Sequence, residues 1–254
     1  KTAFEIYQCD WSSDVCSSDL AARALPVGPR PRRGSPPARR HGIDPRPRHP
    51  RLHSTFFIKE PKTDAITAWH QDSTYFGLFP YEHVTAWVAL SEASIEAGCM
   101  EFIPGSHRWG QLTHGKESEP GTINAGARSI STPFDSSTAR FAPIKTGQAS
   151  LHHTLIVHNS PPNGSSDRRI GFGISYIPAH VRHSGSKRMS ATLVRGVDRH
   201  GNFDLEKDPR QSTEVERVAA HERAYARYRE CHAEQMARLA AARSEEHTSE
   251  LQSH

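Results

Sequence analysis

The chain has 254 residues and a formal net charge of +4 at pH 7. Without residues 1–50 and 243–254, whose sequences are unusual, about 190 residues remain, enough for one domain with a sizeable core. Its four cysteines include no Cys-x-x-Cys pair and give no disulfide framework, which favours a reducing, cytoplasmic setting over a zinc or secreted disulfide protein. No apolar run is long enough to cross a membrane, and no signal peptide is recognisable.

The two ends of the chain are related at the level of DNA. A back-translation of residues 244–253 together with Arg243, read as its reverse complement in another frame, encodes the residues found at 10–19. The ends of a natural protein have no reason to encode each other's complementary strand. We therefore interpret residues 1–20 and 243–254 as translated sequencing adapter on a metagenomic fragment and exclude them from fold prediction. The alternative is a natural tail rich in Ser and Asp.

Residues 21–50 have a composition that argues against a packed structure. They hold eight Arg, eight of the 18 Pro and one Asp, with no Lys and no aromatic residue. Such a segment cannot bury enough apolar surface to offset chain entropy, so we predict a disordered or out-of-frame segment. The alternative is a basic arm that binds nucleic acid, which the absence of Lys and of interleaved aromatic residues disfavours. Because this segment carries the positive charge, the basic balance says little about partners.

From residue 51 onward, the pattern predicts many short strands separated by turns, which is typical of a sandwich or barrel of the jelly-roll type. Residues 110–140 are rich in Gly, Ser and Thr and predict a long loop of the kind that often acts as a lid. The segments 141–144 and 149–157 are expected to pair as a hairpin. The predicted strands are 52–59, 65–69, 84–90, 100–103, 141–144, 149–157 and 169–177.

A C-terminal helix is predicted at residues 213–242, after a β domain at 51–212. Its start carries the capping box Thr213-Glu-Val-Glu216, and the residues that follow are rich in Ala, Arg and Glu. The apolar positions form only a partial stripe. This favours a helix packed on the outside of the barrel over a helix that binds a partner.

The segment Trp69–Asp72 holds the strongest candidate for a metal site. Residues i and i+2 of an extended segment project to the same side, so His70 and Asp72 can reach one metal ion. The third ligand has to come from another strand, and His158 lies in a suitable apolar run. Two histidines and one carboxylate with open coordination positions form the facial triad of non-haem Fe(II) oxygenases. With 17 His in the chain, the His-x-Asp motif is weak alone, and each histidine could instead be a hydrogen-bonded core residue.

Several blocks in a fixed order resemble the phytanoyl-CoA dioxygenase family. The resemblance covers roughly residues 51–212. It implies a double-stranded β-helix, of the jelly-roll or cupin-like kind, that uses Fe(II), 2-oxoglutarate and O2. The family's N-terminal helical region has no counterpart before residue 51, so we interpret the chain as an N-terminally truncated bacterial member. The blocks are Trp69–Asp72, Val84–Leu90, Gly98–Met100, Ile103–Arg108, His158-x-Ser160, Arg169 and Thr192–Arg199.

The resemblance implies an activity and a metal centre. The reaction would be hydroxylation of an unactivated C–H bond of a small organic substrate, with release of succinate and CO2. It assigns His70, Asp72 and His158 to the metal, with His152 and His153 as competitors for the third position. Related halogenases lack a carboxylate at the position of Asp72, which favours hydroxylation here.

The resemblance also assigns residues to 2-oxoglutarate. Arg169 would hold the distal carboxylate with its planar guanidinium, and the adjacent Arg168 is the alternative. Ser160 would add a hydroxyl donor, and Gln71 a further hydrogen bond. Lys59 either approaches the cosubstrate or is a solvated lysine at a strand edge.

The remaining expectations concern the cavity and the partners. Gly171, Gly173 and Ser175 share one face of their predicted strand with Arg169, which would leave room for a ligand. Trp87 is interpreted as a core residue in preference to a wall of the substrate pocket. The expected partner is a small molecule, with no nucleic acid and no membrane, and the oligomeric state is left open. The alternatives are a non-catalytic metal-binding barrel for sensing or storage, and nucleic-acid binding through residues 21–50.

Overall fold

The computed structural model describes residues 4–8, 50–115, 121–123, 129–194, 196–208 and 211–252. In this part of the chain the protein is mainly β, with two short 3₁₀ helices and two α-helices, α1 at Ser73–Phe76 and α2 at Glu214–Gln252. The strands β1 to β13 are, in chain order, Phe4–Gln8, Pro50–Lys59, Thr67–His70, Leu78–Phe79, Val84–Ala89, Met100–Phe102, Arg140–Ala142, Gln148–His153, His158–Ser160, Arg169–Tyr176, Arg182–His183, Ser190–Leu193 and Asp204–Leu205.

Two sheets make up most of the fold. The larger has seven strands in the order β1-β8-β5-β10-β2-β12-β13, and the smaller has four in the order β3-β9-β6-β7. Strands β4 and β11 form a separate pair. Neighbouring strands are antiparallel, apart from the parallel pair β12 and β13. A mainly β protein with antiparallel sheets and a C-terminal helix was predicted, and the structure confirms it at this level.

The main core lies between the two sheets. Trp87 and Ala89 of β5 pack in one cluster with Phe102 of β6 and Ala142 of β7, so both sheets contribute to it. Phe102 is fully buried, and burial of a side chain of this size contributes about 1.5–3 kcal/mol. The packing of this cluster fixes the distance between the two sheets, which matters because the candidate site takes residues from both.

The helix α2 packs on the β structure, as predicted. Cys231 is fully buried in a cluster with Leu78 and Phe203, and Tyr228 packs against the same cluster. The predicted capping box is present, because the Glu216 backbone N–H donates to the Thr213 hydroxyl at 3.2 Å and the Thr213 N–H donates to the Glu216 carboxylate at 2.7 Å. Neither helix in the described residues is both long and apolar enough to cross a membrane.

One predicted strand pairing is wrong. Strand β7 pairs with β6 in the smaller sheet, whereas β8 pairs with β5 and β1 in the larger sheet, so 141–144 and 149–157 do not form a hairpin. The turn at Lys145–Gln148, with Gly147 at a positive φ of 83°, carries the chain from one sheet to the other. The predicted strand 149–157 is also divided by a turn between β8 and β9.

The ends of the chain differ from expectation in two places. Strand β1 lies in residues 1–20, which we excluded from fold prediction, and it pairs with β8. Backbone hydrogen bonds do not depend on side-chain identity, so an open sheet edge accepts any extended segment. Helix α2 continues past the predicted end at residue 242, because no Pro or Gly interrupts 243–252. Residues 9–49, which include most of the 21–50 segment, lie outside the described residues.

Parts of the predicted long loop 110–140 are described. They are tied to the rest of the fold by an isolated bridge between Ile66 and Thr122 and by the Ile130 N–H, which donates to the Trp69 carbonyl at 2.9 Å. A second bridge, between His114 and Ile130, joins two parts of the loop itself. The role of this loop as a lid stays a prediction.

Gly171 on β10 tests how tightly the sheets pack. A Cβ atom at this position would lie 1.8 Å from a ring carbon of Trp87, so Gly171→Ala forces the indole to move. We expect a loss of about 1–3 kcal/mol in the free energy of unfolding, as for other overpacked cores, measured by denaturant titration. Gly164→Ala is the matched control, since the nearest atom to its Cβ would be 3.6 Å away. Equal stability of the two variants would contradict this packing.

Candidate metal and cosubstrate site

His70, Asp72 and His158 come together in the structure. His70 and His158 lie opposite each other on the antiparallel pair β3 and β9, with ring centroids 4.1 Å apart. Asp72 follows β3 directly. One potential ligand atom from each of the three residues lies within 4.8 Å of the others, so the group could hold a metal ion. His152 and His153, the competitors for the third position, are not members of this group.

The two imidazoles are oriented by backbone carbonyl groups. Nδ1 of His70 lies 2.8 Å from the carbonyl oxygen of Ala68, and Nδ1 of His158 lies 3.0 Å from that of Ile156. A carbonyl oxygen only accepts, so both Nδ1 atoms carry a proton, and in the neutral form of each ring the lone pair lies on Nε2. These Nε2 atoms lie 3.5 Å and 3.7 Å from Oδ1 of Asp72. The three candidate ligand atoms therefore face one small space.

Asp72 reaches this point by a different route from the one predicted. Strand β3 ends at His70, and Asp72 has helical backbone angles (φ −57°, ψ −34°) as the residue preceding α1. Strand alternation therefore does not bring His70 and Asp72 to the same side. The turn into α1 does so.

Gln71 does not face the cavity, which corrects its assignment as a cosubstrate contact. Its side-chain N–H groups donate to the carbonyls of Gly110 at 2.9 Å and Leu155 at 2.8 Å. Its side-chain oxygen accepts from the Leu112 N–H and from the side chain of Gln111. The amide has two donors and two acceptor positions, and all are occupied within the protein. Gln71 thus holds the backbone of Gly110 and Leu112, at the start of the long loop, close to the metal-binding group.

Burial sets the protonation of the metal-binding group. Burial alone would raise the pKa of Asp72, but the hydrogen bond from His152 and the surrounding imidazoles hold that pKa well below its usual range. Burial lowers the pKa of His158 well below its usual value, and the nearby His70 lowers it further. Asp72 is therefore ionised and His158 is neutral near pH 7, which are the forms that bind metals.

A second part of the site is a pair of buried cations. Arg169 on β10 lies directly opposite Lys59 on β2, and each residue is 1% exposed. The Lys59 ammonium donates to Ser160 at its carbonyl (2.7 Å) and hydroxyl (2.9 Å), and Arg169 donates to the same hydroxyl at 3.1 Å. Ser160 thus bridges the two as an acceptor. Its own hydroxyl donates to the Gly98 carbonyl at 2.8 Å, which corrects its assignment as a hydroxyl donor to the cosubstrate. Lys59 is buried and is not a solvated edge residue.

These two cations have no acidic partner among the described residues. Like charges opposite each other in a sheet are destabilising, and an unpaired buried charge costs several kcal/mol. Burial lowers the pKa of Lys59 to about 7, helped by the charge of Arg169, and burial lowers the pKa of Arg169 to about 10. Nε of Arg169 is buried without a hydrogen-bond partner. An anion bound beside Arg169 and Lys59 would neutralise this buried positive charge.

Arg168 points the other way, as period-2 alternation requires. Its side chain is 55% exposed and forms a surface ion pair with Glu60 at 3.0 Å. Trp87 has both of the roles considered for it, because it is 4% exposed in the core cluster and also lines the cavity under the Arg169 guanidinium, 5.3 Å from the ring centroid.

A cavity of about 800 Å³ connects the metal-binding group to Arg169 and Ser160. The predicted small-residue face of β10 contributes to it only in part. Gly173 and Ser175 line the cavity, whereas the space beside Gly171 is filled by the indole of Trp87.

Sequence reasoning missed the wall that lies away from Arg169. This wall comes partly from α2, which is distant in the chain, and His53 of β2 stacks on Tyr228 with ring centroids 4.8 Å apart. The only signal was the spacing of aromatic and histidine residues by three or four positions, which places them on one helix face. The residues of this wall are His53, Phe76, Tyr225, Tyr228, Arg229 and His232.

A mainly β, two-sheet protein with a His-Asp-His group beside a buried arginine is typical of non-haem metal oxygenases. Consistent with this, the family model for phytanoyl-CoA dioxygenase (PhyH) matches residues 9–171. The chain belongs to the phytanoyl-CoA dioxygenase family. The match begins before residue 51 and ends before residue 212, so its limits differ from those of the predicted resemblance.

Individual relatives agree with the family. A Caenorhabditis elegans protein named phytanoyl-CoA dioxygenase domain-containing protein 1 homolog is 34% identical over 128 residues, which cover 48% of this chain and 44% of that protein. The probable alpha-ketoglutarate-dependent hypophosphite dioxygenase of Stutzerimonas stutzeri is 30% identical over 131 residues, covering 51% and 46%. The chain thus spans less than half the length of these curated relatives. The solved structure of the non-heme monooxygenase ThoJ, in its apo form, has a TM-score of 0.67 and 29% identity over 76% of this chain and 70% of that one.

The residues present fit the groups that this family uses. A divalent iron ion requires neutral imidazole nitrogens and carboxylate oxygens, and the converging Nε2 and Oδ1 atoms supply them. A dicarboxylate such as 2-oxoglutarate requires a cationic anchor, and the unpaired Arg169 Nε and the Lys59–Ser160 contact offer one.

The depressed pKa of Lys59 predicts a pH-dependent stability in the absence of an anion. Between about 7 in the folded chain and 10.5 in the unfolded chain, the unfolded state binds more protons, so stability rises with pH. We expect the free energy of unfolding of the wild-type chain to rise relative to that of Lys59→Met between about pH 6 and about pH 9. Denaturant titrations without added metal or cosubstrate measure this. The exposed Lys145 provides the control Lys145→Met, and a difference no larger than the one for this control would contradict the prediction.

Proposed function

We propose that this protein is an Fe(II)- and 2-oxoglutarate-dependent oxygenase on a double-stranded β-helix. It hydroxylates an unactivated C–H bond of a small organic molecule, with O2 as oxidant and release of succinate and CO2. One observation carries the proposal: Arg169 and Lys59 are buried opposite each other without an acidic partner among the described residues, beside a convergent His-Asp-His group. A protein that only stored or sensed a metal would have no use for this anion site.

The relatives support the proposal. The hypophosphite dioxygenase is described as alpha-ketoglutarate-dependent, and ThoJ as a non-heme monooxygenase. The first name includes hypophosphite and the second includes no substrate, so together they support a reaction type without identifying the substrate of this chain. The free, buried Cys99 and Cys231 support a reducing, cytoplasmic setting.

Each residue has a role in binding or orientation. His70, Asp72 and His158 hold the metal. Arg169 holds the distal carboxylate of 2-oxoglutarate. The Ser160 hydroxyl donates to the Gly98 carbonyl at 2.8 Å and accepts from Lys59 and Arg169, so it fixes these two cations. Arg169 orients the cosubstrate, since a guanidinium at a fixed position defines where a carboxylate lies.

When bound, iron and 2-oxoglutarate supply the oxidising chemistry with O2. The protein supplies a cavity in which the indole of Trp87 lies against the guanidinium of Arg169, 5.3 Å from the ring centroid, and covers the anion site. The substrate occupies the part of the cavity that lies away from Arg169. There the wall is formed by aromatic residues of α2 and β2, and it carries one further cation, Arg229.

Turnover of 2-oxoglutarate tests the proposal directly. The purified chain with Fe(II), ascorbate and O2 is expected to release succinate above the level of His158→Ala, even without substrate, because such enzymes decarboxylate 2-oxoglutarate slowly on their own. Calorimetric titration of 2-oxoglutarate into the metal-loaded chain gives a second readout that needs no turnover. A chain that binds iron but shows neither binding nor succinate release would instead be a metal-binding barrel for sensing or storage.

Arg169→Lys separates the anchor from its neighbour. Lysine keeps the charge but loses the planar, two-pronged donor geometry. We expect a roughly ten- to hundredfold increase in the KM or Kd for 2-oxoglutarate, corresponding to about 1.5–3 kcal/mol, with metal binding retained. Arg168→Lys is the control and should change either constant by less than about twofold, because its surface ion pair is worth little. The reverse ranking of the two variants would refute the assignment.

A further inference from the structure

The carboxylate of Asp72 has two oxygens with different surroundings. Oδ1 faces the Nε2 atoms of His70 and His158 at 3.5 Å and 3.7 Å. Oδ2 points away from them and accepts two hydrogen bonds, from the Thr85 hydroxyl at 2.6 Å and from Nε2 of His152 at 3.2 Å. A carboxylate oxygen accepts bonds from two directions in its plane, so these two donors use the capacity of Oδ2.

We propose that Thr85 and His152 are positioning residues that restrict Asp72 to one metal-binding oxygen. The proposal rests on the proposed function, because it concerns the same metal. If both oxygens bound the ion, the carboxylate would occupy one of the positions that the cosubstrate, O2 or substrate needs. Two donors on Oδ2 prevent this, and the 2.6 Å contact has the length of a charge-assisted O–H···O⁻ bond.

The register of the larger sheet places both donors. Thr85 on β5 lies directly opposite His152 on β8 and, on its other side, opposite Ser175 on β10. These side chains line the cavity, and they are 8%, 2% and 4% exposed, respectively. A row of polar residues on the buried face of a sheet needs a partner, since a polar group buried without one is costly. For Thr85 and His152 this partner is the carboxylate of Asp72, which follows β3 of the smaller sheet.

His152 therefore has a defined role although it is not a ligand. A carboxylate only accepts, so Nε2 of His152 carries a proton and donates. A donating Nε2 cannot also bind a metal. The sequence alone made His152 a competitor for the third ligand position, whereas the structure gives that position to His158 and places His152 behind the carboxylate.

Four variants test the proposal with Co(II) as the metal probe. Thr85→Val keeps the shape and removes the hydroxyl, Thr85→Ser keeps the hydroxyl, and His152→Phe keeps the ring and removes the donor. His153→Phe is the matched control, because the Nδ1 of His153 accepts from the Leu155 backbone N–H and the residue is not among those lining the cavity. Co(II) titration gives the affinity, and the visible absorption spectrum of the bound ion reports its coordination.

We expect Thr85→Val and His152→Phe to change the Co(II) spectrum and to weaken binding by about 10–100-fold, as is typical for partners of metal ligands. Thr85→Ser and His153→Phe should retain the wild-type spectrum and affinity within about threefold. A fifth variant combines Thr85→Val with His152→Phe. Its loss of Co(II) affinity should be smaller than the product of the two single losses, because both donors act on one oxygen. Rescue by serine is not expected if Thr85 serves only to fill space.

Several outcomes would overturn the proposal. Wild-type spectra and affinities in Thr85→Val and His152→Phe would do so, as would an equal loss in His153→Phe. Circular dichroism establishes whether each variant is folded. If Thr85→Val does not fold, the test of the proposal rests on His152→Phe. The Co(II) readout needs neither 2-oxoglutarate nor turnover, so it fails separately from the proposed reaction. Only a wild-type chain that binds no Co(II) would contradict both.

Discussion

The register of β10 in the larger sheet is the constraint on which the rest of the site depends. This strand lies between β2 and β5, and its residues alternate between the cavity side and the outer side. At one end it places Arg169 opposite Lys59, and near its other end it places Ser175 opposite Thr85. A shift by one residue would turn Arg168 inward and replace Gly171, which lies against Trp87, and Gly173, which lies against Phe57, with large side chains. The placement of Arg169 beside Lys59 and the placement of Thr85 beside Asp72 therefore have one structural cause.

The metal-binding group and the buried cations of the site come from different sheets. The smaller sheet and the turn after it provide the imidazoles and the carboxylate that could hold the metal, and the larger sheet provides the two buried cations. Burial lowers the pKa of both Lys59 and Arg169, which means that burial disfavours their charged forms. In the proposed function, a dicarboxylate that reached both the metal and Arg169 would neutralise this positive charge and offset the cost of burying it. Perturbed pKa values of this kind are common where a buried group serves binding.

The parts of the site that could be predicted from the sequence are those set by local geometry or by the resemblance. Period-2 alternation separated Arg169 from Arg168, and the ordered blocks pointed to His70, Asp72 and His158. The errors arose where the outcome depends on distant contacts. Gln71 lies between two of these residues, but its amide is used by the loop that follows residue 109. The hairpin failed because the chain changes sheets at Gly147, and no local pattern distinguishes a hairpin turn from a crossing between sheets.

The two walls of the cavity differ in how firmly the fold determines them. Strands β2, β5 and β10 are hydrogen-bonded on both sides. The positions of Arg169, Lys59 and Thr85 are therefore set by backbone pairing, which side-chain changes disturb little. The opposite wall depends on α2, which is fixed by side-chain contacts such as the burial of Cys231 and the stacking of Tyr228 on His53. Its aromatic residues and Arg229 can change without any effect on strand register. In the proposed oxygenase, a metal and anion site held by backbone pairing would therefore face a substrate wall held by side chains, and this separation gives a physical reason why one fold can serve different small-molecule substrates.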